Sequence, residues 1–172
     1  MAEQKAHRGL DANLLKLIAI AAMTADHIAW LLFPGYATGA LPVTLHIIGR
    51  ITCPIMCFFI AEGFHYTHDR KKYALRLLAL AVVSHFAYLF ASNSYVDWHS
   101  FIPFYYGDLL NQTGVVWSLL GGLLMLWLCE DEERGMGVKV AGVLLICLVT
   151  LPADWSCIAA LCVLSIGSNR GE

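Results

Sequence analysis

Apolar residues run along this chain in long blocks, not in stripes. Leu14–Phe33, LLKLIAIAAMTADHIAWLLF, is interrupted only by Lys16, Thr24, Asp26 and His27. At 1.5 Å per residue its ~20 residues match the ~30 Å hydrocarbon core of a bilayer. Comparable blocks cover 44–66, 73–91 and 113–129, and two shorter ones follow at 134–151 and 155–167. A segment that is apolar on every helical face buries itself in lipid or in a large core, and too little polar chain remains here to build that core. The pattern predicts an all-α polytopic transmembrane bundle of five to six helices, organised as one integral membrane domain over residues 1–172.

Local signals set the boundaries. Asp11 and Asn13 are candidate caps for the first helix, and Pro34-Gly35 ends it. Pro54 predicts a kink inside the second span, because proline cannot donate to the carbonyl four residues back. THDRKK at 67–72 makes a compact basic turn, and EDEERGMG at 130–137 a charged one. Between them, 92–112 form a polar, aromatic-rich connection (Tyr95 through Tyr106) that suits an interfacial belt or a lid. Gly121-Gly122 would let the fourth span approach a neighbour closely. Taken as 138–151 and 155–167, the last two segments are too short to span at 1.5 Å per residue. Starting the first near Arg134, with Lys139 snorkelling, rescues it. The second leaves either a re-entrant hairpin or, the favoured reading, a shortened terminus. The first block continues past Asp26-His27 without a small-x-small cleavage site, so it reads as a retained span and not a leader.

Composition adds little beyond this. The chain is 59% hydrophobic and 14% charged with a formal net charge of −2, and no basic run points to nucleic acid. The six cysteines fall in or beside apolar segments without a C-x-x-C pair, so they read as small hydrophobes. His65-x-x-His68 is a weak metal signal at a helix end, and no metal is expected. Charge placement is more informative than the total. With the N-terminus in the cytoplasm, Lys5, Arg8, Lys16, Arg70, Lys71, Lys72, Arg76, Arg134, Lys139 and Arg170 all lie on or near one side, and the opposite loops have no Lys or Arg. Only Arg50 breaks the pattern, from inside a helix.

Orientation then gives depth. Asp26 and His27 fall roughly 10 Å below the outer end of the first helix, and Arg50 and His85 about 9 Å below the outer ends of the second and third. Glu62 and Arg76 share a level about 5 Å from the cytoplasmic ends. The spacing predicts an outer cluster of Asp26, His27, Arg50 and His85, and an inner Glu62–Arg76 ion pair joining the second and third spans. An ionisable residue inside a span costs roughly 2.5–3.5 kcal/mol on insertion scales and so has a partner or a task. Imidazoles beside a carboxylate and a guanidinium suit proton transfer. The simpler alternative is an Asp26–Arg50 ion pair with two satisfied histidines.

Three segments carry a resemblance: LDANLLKLIAIAAMTADHIAWLLFPG, then IIGRITCPIMCFFIAEGFHYTHDRKKYALRLL, and more loosely GVVWSLLGGLL with the ADW turn. Together they resemble the TraX family of conjugal-transfer membrane proteins, typified by the enzyme that acetylates the N-terminal amine of F-pilin. FFIAEGF also resembles the F-F-x-x-S-G-F segment of a wider superfamily of membrane acyltransferases. The resemblance implies an acetyltransferase of the bacterial inner membrane that uses acetyl-CoA, with pilin or another periplasm-facing amine or hydroxyl as acceptor. It implies His27 as the catalytic residue, with Asp26 orienting it and His85 nearby. It further implies Arg50 as an oxyanion contact, and Arg70, Lys71, Lys72 and Arg76 as contacts for the coenzyme A phosphates. Matching members are expected to run longer, with further helices after the ADW turn.

Two other readings fit the residues alone. A proton-coupled transporter would use Asp26, His27 and His85 as a relay, although no internal repeat supports it. A non-catalytic assembly partner of a pilus or secretion system would need neither acetyl-CoA nor a base.

Overall fold

The structure is a computed structural model that describes residues 11–33, 38–91, 102 and 113–170. Among these it is helical throughout, with no strand and one isolated bridge between Thr113 and Ala153. Seven helical segments follow one another: α1 (Ala12–Leu32), α2 (Ala40–Gly49), α3 (Thr52–Tyr66), α4 (Arg70–Ala91), α5 (Val116–Glu130), α6 (Met136–Thr150) and α7 (Ser156–Ser168). Because α2 and α3 form one apolar span of 27 residues, Ala40–Tyr66, the described chain makes six passages. Three of these are long and apolar enough to cross a membrane: Ala12–Leu32, Ala40–Tyr66 and Arg70–Phe90. This is a membrane protein, as the apolar blocks predict. The 92–112 connection with its aromatic run lies outside the described residues, Ile102 excepted, as do Lys5, Arg8 and Pro34-Gly35.

The helix expected over 44–66 with a kink at Pro54 is split at Arg50-Ile51. Pro54 explains where. It has no N–H for the carbonyl at Arg50, and its ring crowds that same carbonyl. The last turn of α2 tightens in response, with the Ile51 N–H reaching Ile48 O at 3.1 Å while the Arg50 N–H keeps the regular bond to His46 O at 3.1 Å.

The chain divides into two compact units, Met1–Met56 and Cys57–Glu172, with the boundary inside α3. In the first unit α1 and α2 pack antiparallel along small residues. Ala19, Ala22 and Ala29 are the buried residues of α1, and Pro42 and Gly49 those of α2. Their spacing in α1 is 3 and 7, one helical face, and small residues on it let the backbones approach. Thr52 at the start of α3 donates its hydroxyl to the Ala19 carbonyl at 3.0 Å, fixing the register at the far end of the contact. Leu17, Ile20, Leu31, Leu32 and Ile47 are exposed on this unit, which suits a lipid-facing surface.

The second unit is built around α5, which packs against α4, α6 and α7 and is buried over Ser118–Leu123, Met125 and Leu126. The Gly121-Gly122 pair makes the close approach that its sequence predicts. A Cβ on Gly122 would lie 2.6 Å from Val163 Cβ and 2.9 Å from the Ala160 carbonyl, and one on Gly121 2.6 Å from Thr150 Cγ2. α6 and α7 form a hairpin whose turn puts Trp155 and Ser156 at positive φ, 65° and 49°. Two such residues in a row are costly for side chains with a Cβ, and hydrogen bonds hold them there. Ser156 Oγ donates to Leu151 O at 2.7 Å, the Trp155 N–H donates to Asp154 Oδ1 at 3.0 Å, and the Asp154 N–H donates to Thr113 O at 2.7 Å. α5, α6 and α7 have 15, 15 and 13 residues, or about 20–22 Å each.

Within this unit α3 and α7 run parallel. The Cys57 thiol donates to Ala159 O (3.5 Å) at their starts, and His65 Nε2 donates to Gly167 O (3.1 Å) at their ends. Three helices, α4, α5 and α6, lie between them in sequence.

Candidate functional site

In the first unit the apolar contact between α1 and α2 carries one polar couple. Asp26 lies six residues before the end of α1 and His46 six residues after the start of α2, so an antiparallel pair brings them to one level, about 9 Å from the helix ends. His46 Nδ1 donates to Asp26 Oδ1 at 2.7 Å, and both side chains are largely covered, 22% and 26% exposed. The couple is built by its neighbours. Trp30, one turn beyond Asp26, sets its ring 5.0 Å from the His46 imidazole at 58°. Gly49, one turn beyond His46, lies against Asp26 so closely that an added Cβ would sit 2.8 Å from both Cγ and Oδ1. His46 falls in the last turn of α2 and Arg50 caps it, where positive charge complements the helix dipole.

Depth alone suggested Arg50 as the partner of Asp26; the structure pairs the carboxylate with His46. Sequence reasoning missed His46 altogether. A single histidine on an apolar helix gives no periodic signal. Its place four residues before Arg50, on the face that also carries Gly49, was the one clue.

His27 is next to Asp26 in sequence but points around the helix and is exposed. Its Nδ1 lies 2.8 Å from the Met23 carbonyl. A carbonyl only accepts, so Nδ1 carries the proton and Nε2 keeps its lone pair. Asp26 thus orients His46, whereas a turn of α1 orients His27. His85 belongs to the second unit, where it is 1% exposed on α4 with its ring against Phe86 (centroids 5.9 Å apart).

The charged end of the second unit departs from expectation at Glu62. Its carboxylate is gripped by Arg170 and not by Arg76: Nε–Oε1 is 3.0 Å and Nη2–Oε2 3.2 Å, a two-pronged fork. The Arg170 guanidinium also lies 4.7 Å over the Tyr66 ring. Arg76 sits on α4 with an exposed side chain. Depth gave the right level for Glu62, but two cations occupy that end and depth alone does not choose between them.

The basic turn is only partly available to an anion. Arg70 is engaged by Glu130 of α5 and stacks 4.4 Å over Phe64. Lys71, Lys72 and Arg76 are exposed. Asp69 caps α4 by accepting the Lys72 N–H at 2.9 Å. An open depression of about 370 Å³ lies here, lined by His68, Asp69, Arg70, Lys71 and Trp127. Across the next turn Arg134 Nε donates to Asp131 Oδ2 at 2.7 Å, and Lys139 Nζ donates to Cys129 O at 2.7 Å. The Arg134 hydrogen bond holds the Asp131 carboxyl below its usual range, with the Glu133 N–H and the charges of Arg134 and Lys139 adding to it against a desolvation cost. Among the described residues no group of three or more His, Cys, Asp or Glu is placed to hold a metal ion.

Comparison with known proteins agrees with these motifs. A Dichelobacter nodosus protein named "Probable fimbrial assembly protein FimC, serogroup H1" is 30% identical over 154 residues, 86% of this chain and 59% of that protein. The "Uncharacterized protein RP591" of Rickettsia prowazekii (strain Madrid E) is 40% identical over 60 residues, 35% of this chain and 21% of its own length. The chain thus spans less than two thirds of either relative. No solved structure gives a significant match. The family described as TraX protein matches residues 11–168, nearly the whole described chain, and the protein belongs to the TraX family.

Proposed function

We propose that this protein is a membrane-embedded acetyltransferase that serves the assembly of a pilus or fimbria, transferring acetyl from acetyl-CoA to an amine such as the N-terminus of a pilin. The observation that carries the reading is the Asp26–His46 couple, a hydrogen-bonded carboxylate and imidazole held between two apolar helices. An ionisable pair at that depth is expensive as mere glue, since packed alanines already join α1 to α2. Exposed His27 and the helix break at Arg50 adjoin it in sequence, so bases and a cation gather on one short stretch of two helices. Asp26 and His46 are assigned to proton handling, and Arg50 to stabilising the oxyanion of acyl transfer. The name of the fimbrial assembly relative, at 30% identity over most of this chain, supports the biological setting.

The basic end fits the donor in part. Lys71, Lys72 and Arg76 are exposed and suited to phosphate as point charges and a fork, whereas Arg70 is taken up by Glu130. Bound acetyl-CoA would supply an acyl thioester already activated for attack. With the basic turn in the cytoplasm of a bacterial inner membrane, the positive-inside pattern is satisfied.

Thermal unfolding of the detergent-purified protein with and without acetyl-CoA tests the donor assignment. A ligand at 100 times its Kd adds about 2.7 kcal/mol to stability. The wild type should gain several degrees in Tm, and a Lys71→Gln/Lys72→Gln/Arg76→Gln variant should gain much less at the same concentration. No shift with the wild type would remove acetyl-CoA from the account.

A further inference from the structure

We propose that His46 is the general base of this site, held in that role by Asp26, and that His27 does not share the task. The inference rests on the acetyl-transfer reading and goes on to name the atom that takes the proton.

An imidazole has two nitrogens, and the bond of Nδ1 to Asp26 Oδ1 at 2.7 Å leaves only Nε2 to meet an acceptor. A carboxylate accepts, so the proton lies on Nδ1 and the lone pair on Nε2. The ring cannot easily leave this pose. Trp30 flanks it at 5.0 Å, and Gly49 backs Asp26 so closely that the carboxylate has no room to swing toward α2. Yet the His46 side chain retains 22% of its exposure, so the site is not sealed. Among the described residues of this unit, Asp26 faces it from α1, Arg50 follows one turn later on its own helix, and the 52–56 segment of α3 carries Cys53 as its titratable group.

His27 differs in the one respect that matters for a base. Behind its Nδ1 stands the Met23 carbonyl, a neutral dipole, at 2.8 Å. When Nε2 takes a proton, the positive charge that forms on the ring is stabilised far more by a carboxylate behind it than by an amide oxygen. Of the two histidines, His46 is the one with a carboxylate hydrogen-bonded to the nitrogen opposite Nε2. In the step itself His46 Nε2 receives the proton that the acceptor nitrogen loses as it bonds to the acetyl carbon. The carbon–sulfur bond breaks with its electron pair leaving on the thiolate, and the products are an amide, a thiolate and an imidazolium paired with Asp26.

The test separates a base from a counter-charge. His46→Arg keeps a cation for Asp26 but has no nitrogen that accepts a proton at neutral pH. The full-length protein is reconstituted in proteoliposomes with labelled acetyl-CoA and a synthetic peptide amine as probes, and kcat, KM and their pH dependence are read. Wild-type kcat/KM should fall on the acid side. His46→Arg should lose about 100-fold or more in kcat with little change in KM and no acid limb, while its Tm stays close to wild type. His27→Gln should retain the acid limb. Should His46→Arg fail to fold, His46→Gln, which still offers Asp26 a donor, takes its place with the same expectation. A His46→Arg protein with wild-type rate and pH profile would reduce His46 to an ionic partner and overturn the proposal. No transfer by the wild type would instead sink the acetyl-transfer reading, and this assignment with it.

Discussion

Gly49 rests directly against Asp26, with no space between α1 and α2 at that level for even a methyl group. Gly49→Ala should therefore push the carboxylate out of line with His46 or open the helix pair. Overpacking of this kind costs about 1–3 kcal/mol. The variant should unfold at lower temperature and lose acyl-transfer activity beyond what its folded fraction explains, as measured by thermal unfolding alongside turnover. A Gly49→Ala protein with unchanged stability and activity would mean that the close contact carries no weight.

The fork between Arg170 and Glu62 ties the end of α7 to α3. Both side chains are partly open, so the pair is worth on the order of 1 kcal/mol. Glu62→Gln and Arg170→Gln should each destabilise, and the double variant should cost less than the sum of the two. A double-mutant cycle on unfolding checks this, with Arg76→Gln as the control that shows no coupling to Glu62.

Gly122 faces the Ala160 carbonyl and Val163, and a backbone carbonyl cannot rotate out of the way. Gly122→Ala should separate α5 from α7 at a cost of about 1–3 kcal/mol, whereas Gly137→Ala, which meets nothing within 4 Å, should be neutral or mildly stabilising. Thermal stability in detergent distinguishes the two, and equal losses would mean that α5 and α7 are not in close contact.

Asp131 gives the acid dependence a definite sign. Arg134 lowers its folded pKa below the unfolded value, so its contribution is fully present above the unfolded value and is lost as pH falls through the folded one. Because the pair is open to solvent, the effect is small and salt-sensitive. The Tm difference between wild type and Asp131→Asn should favour wild type at neutral pH and low salt, and it should vanish in acid or at high salt. A difference that persists in acid would assign the effect to something other than the ionised carboxylate.

Much of this was legible because lipid imposes simple rules. Blocks of apolar residues marked the helical segments, Pro54 marked the broken span, and Gly121-Gly122 marked a close helix contact. What pattern could not reach were the partners. Asp26 meets His46 because the alanine face of α1 sets an antiparallel register with α2, and register is a property of two helices together. Glu62 chose Arg170 over Arg76 because α7 runs parallel to α3 and ends beside it. Rise per residue placed Arg76 at the level of Glu62, the positive-inside pattern put Arg170 on the same side, and neither could choose between them. The family resemblance made Arg70 a phosphate contact, yet Glu130, on a helix 60 residues later, claims it.

The most direct test of the central claim is acetyl transfer by the purified, reconstituted protein, comparing wild type with Asp26→Asn. Asparagine keeps the size of the side chain and removes the charge behind His46. Labelled acetyl should move from acetyl-CoA to a peptide amine with the wild type, and the rate should fall by about 100-fold or more in the variant. Equal rates in the two proteins would contradict the account.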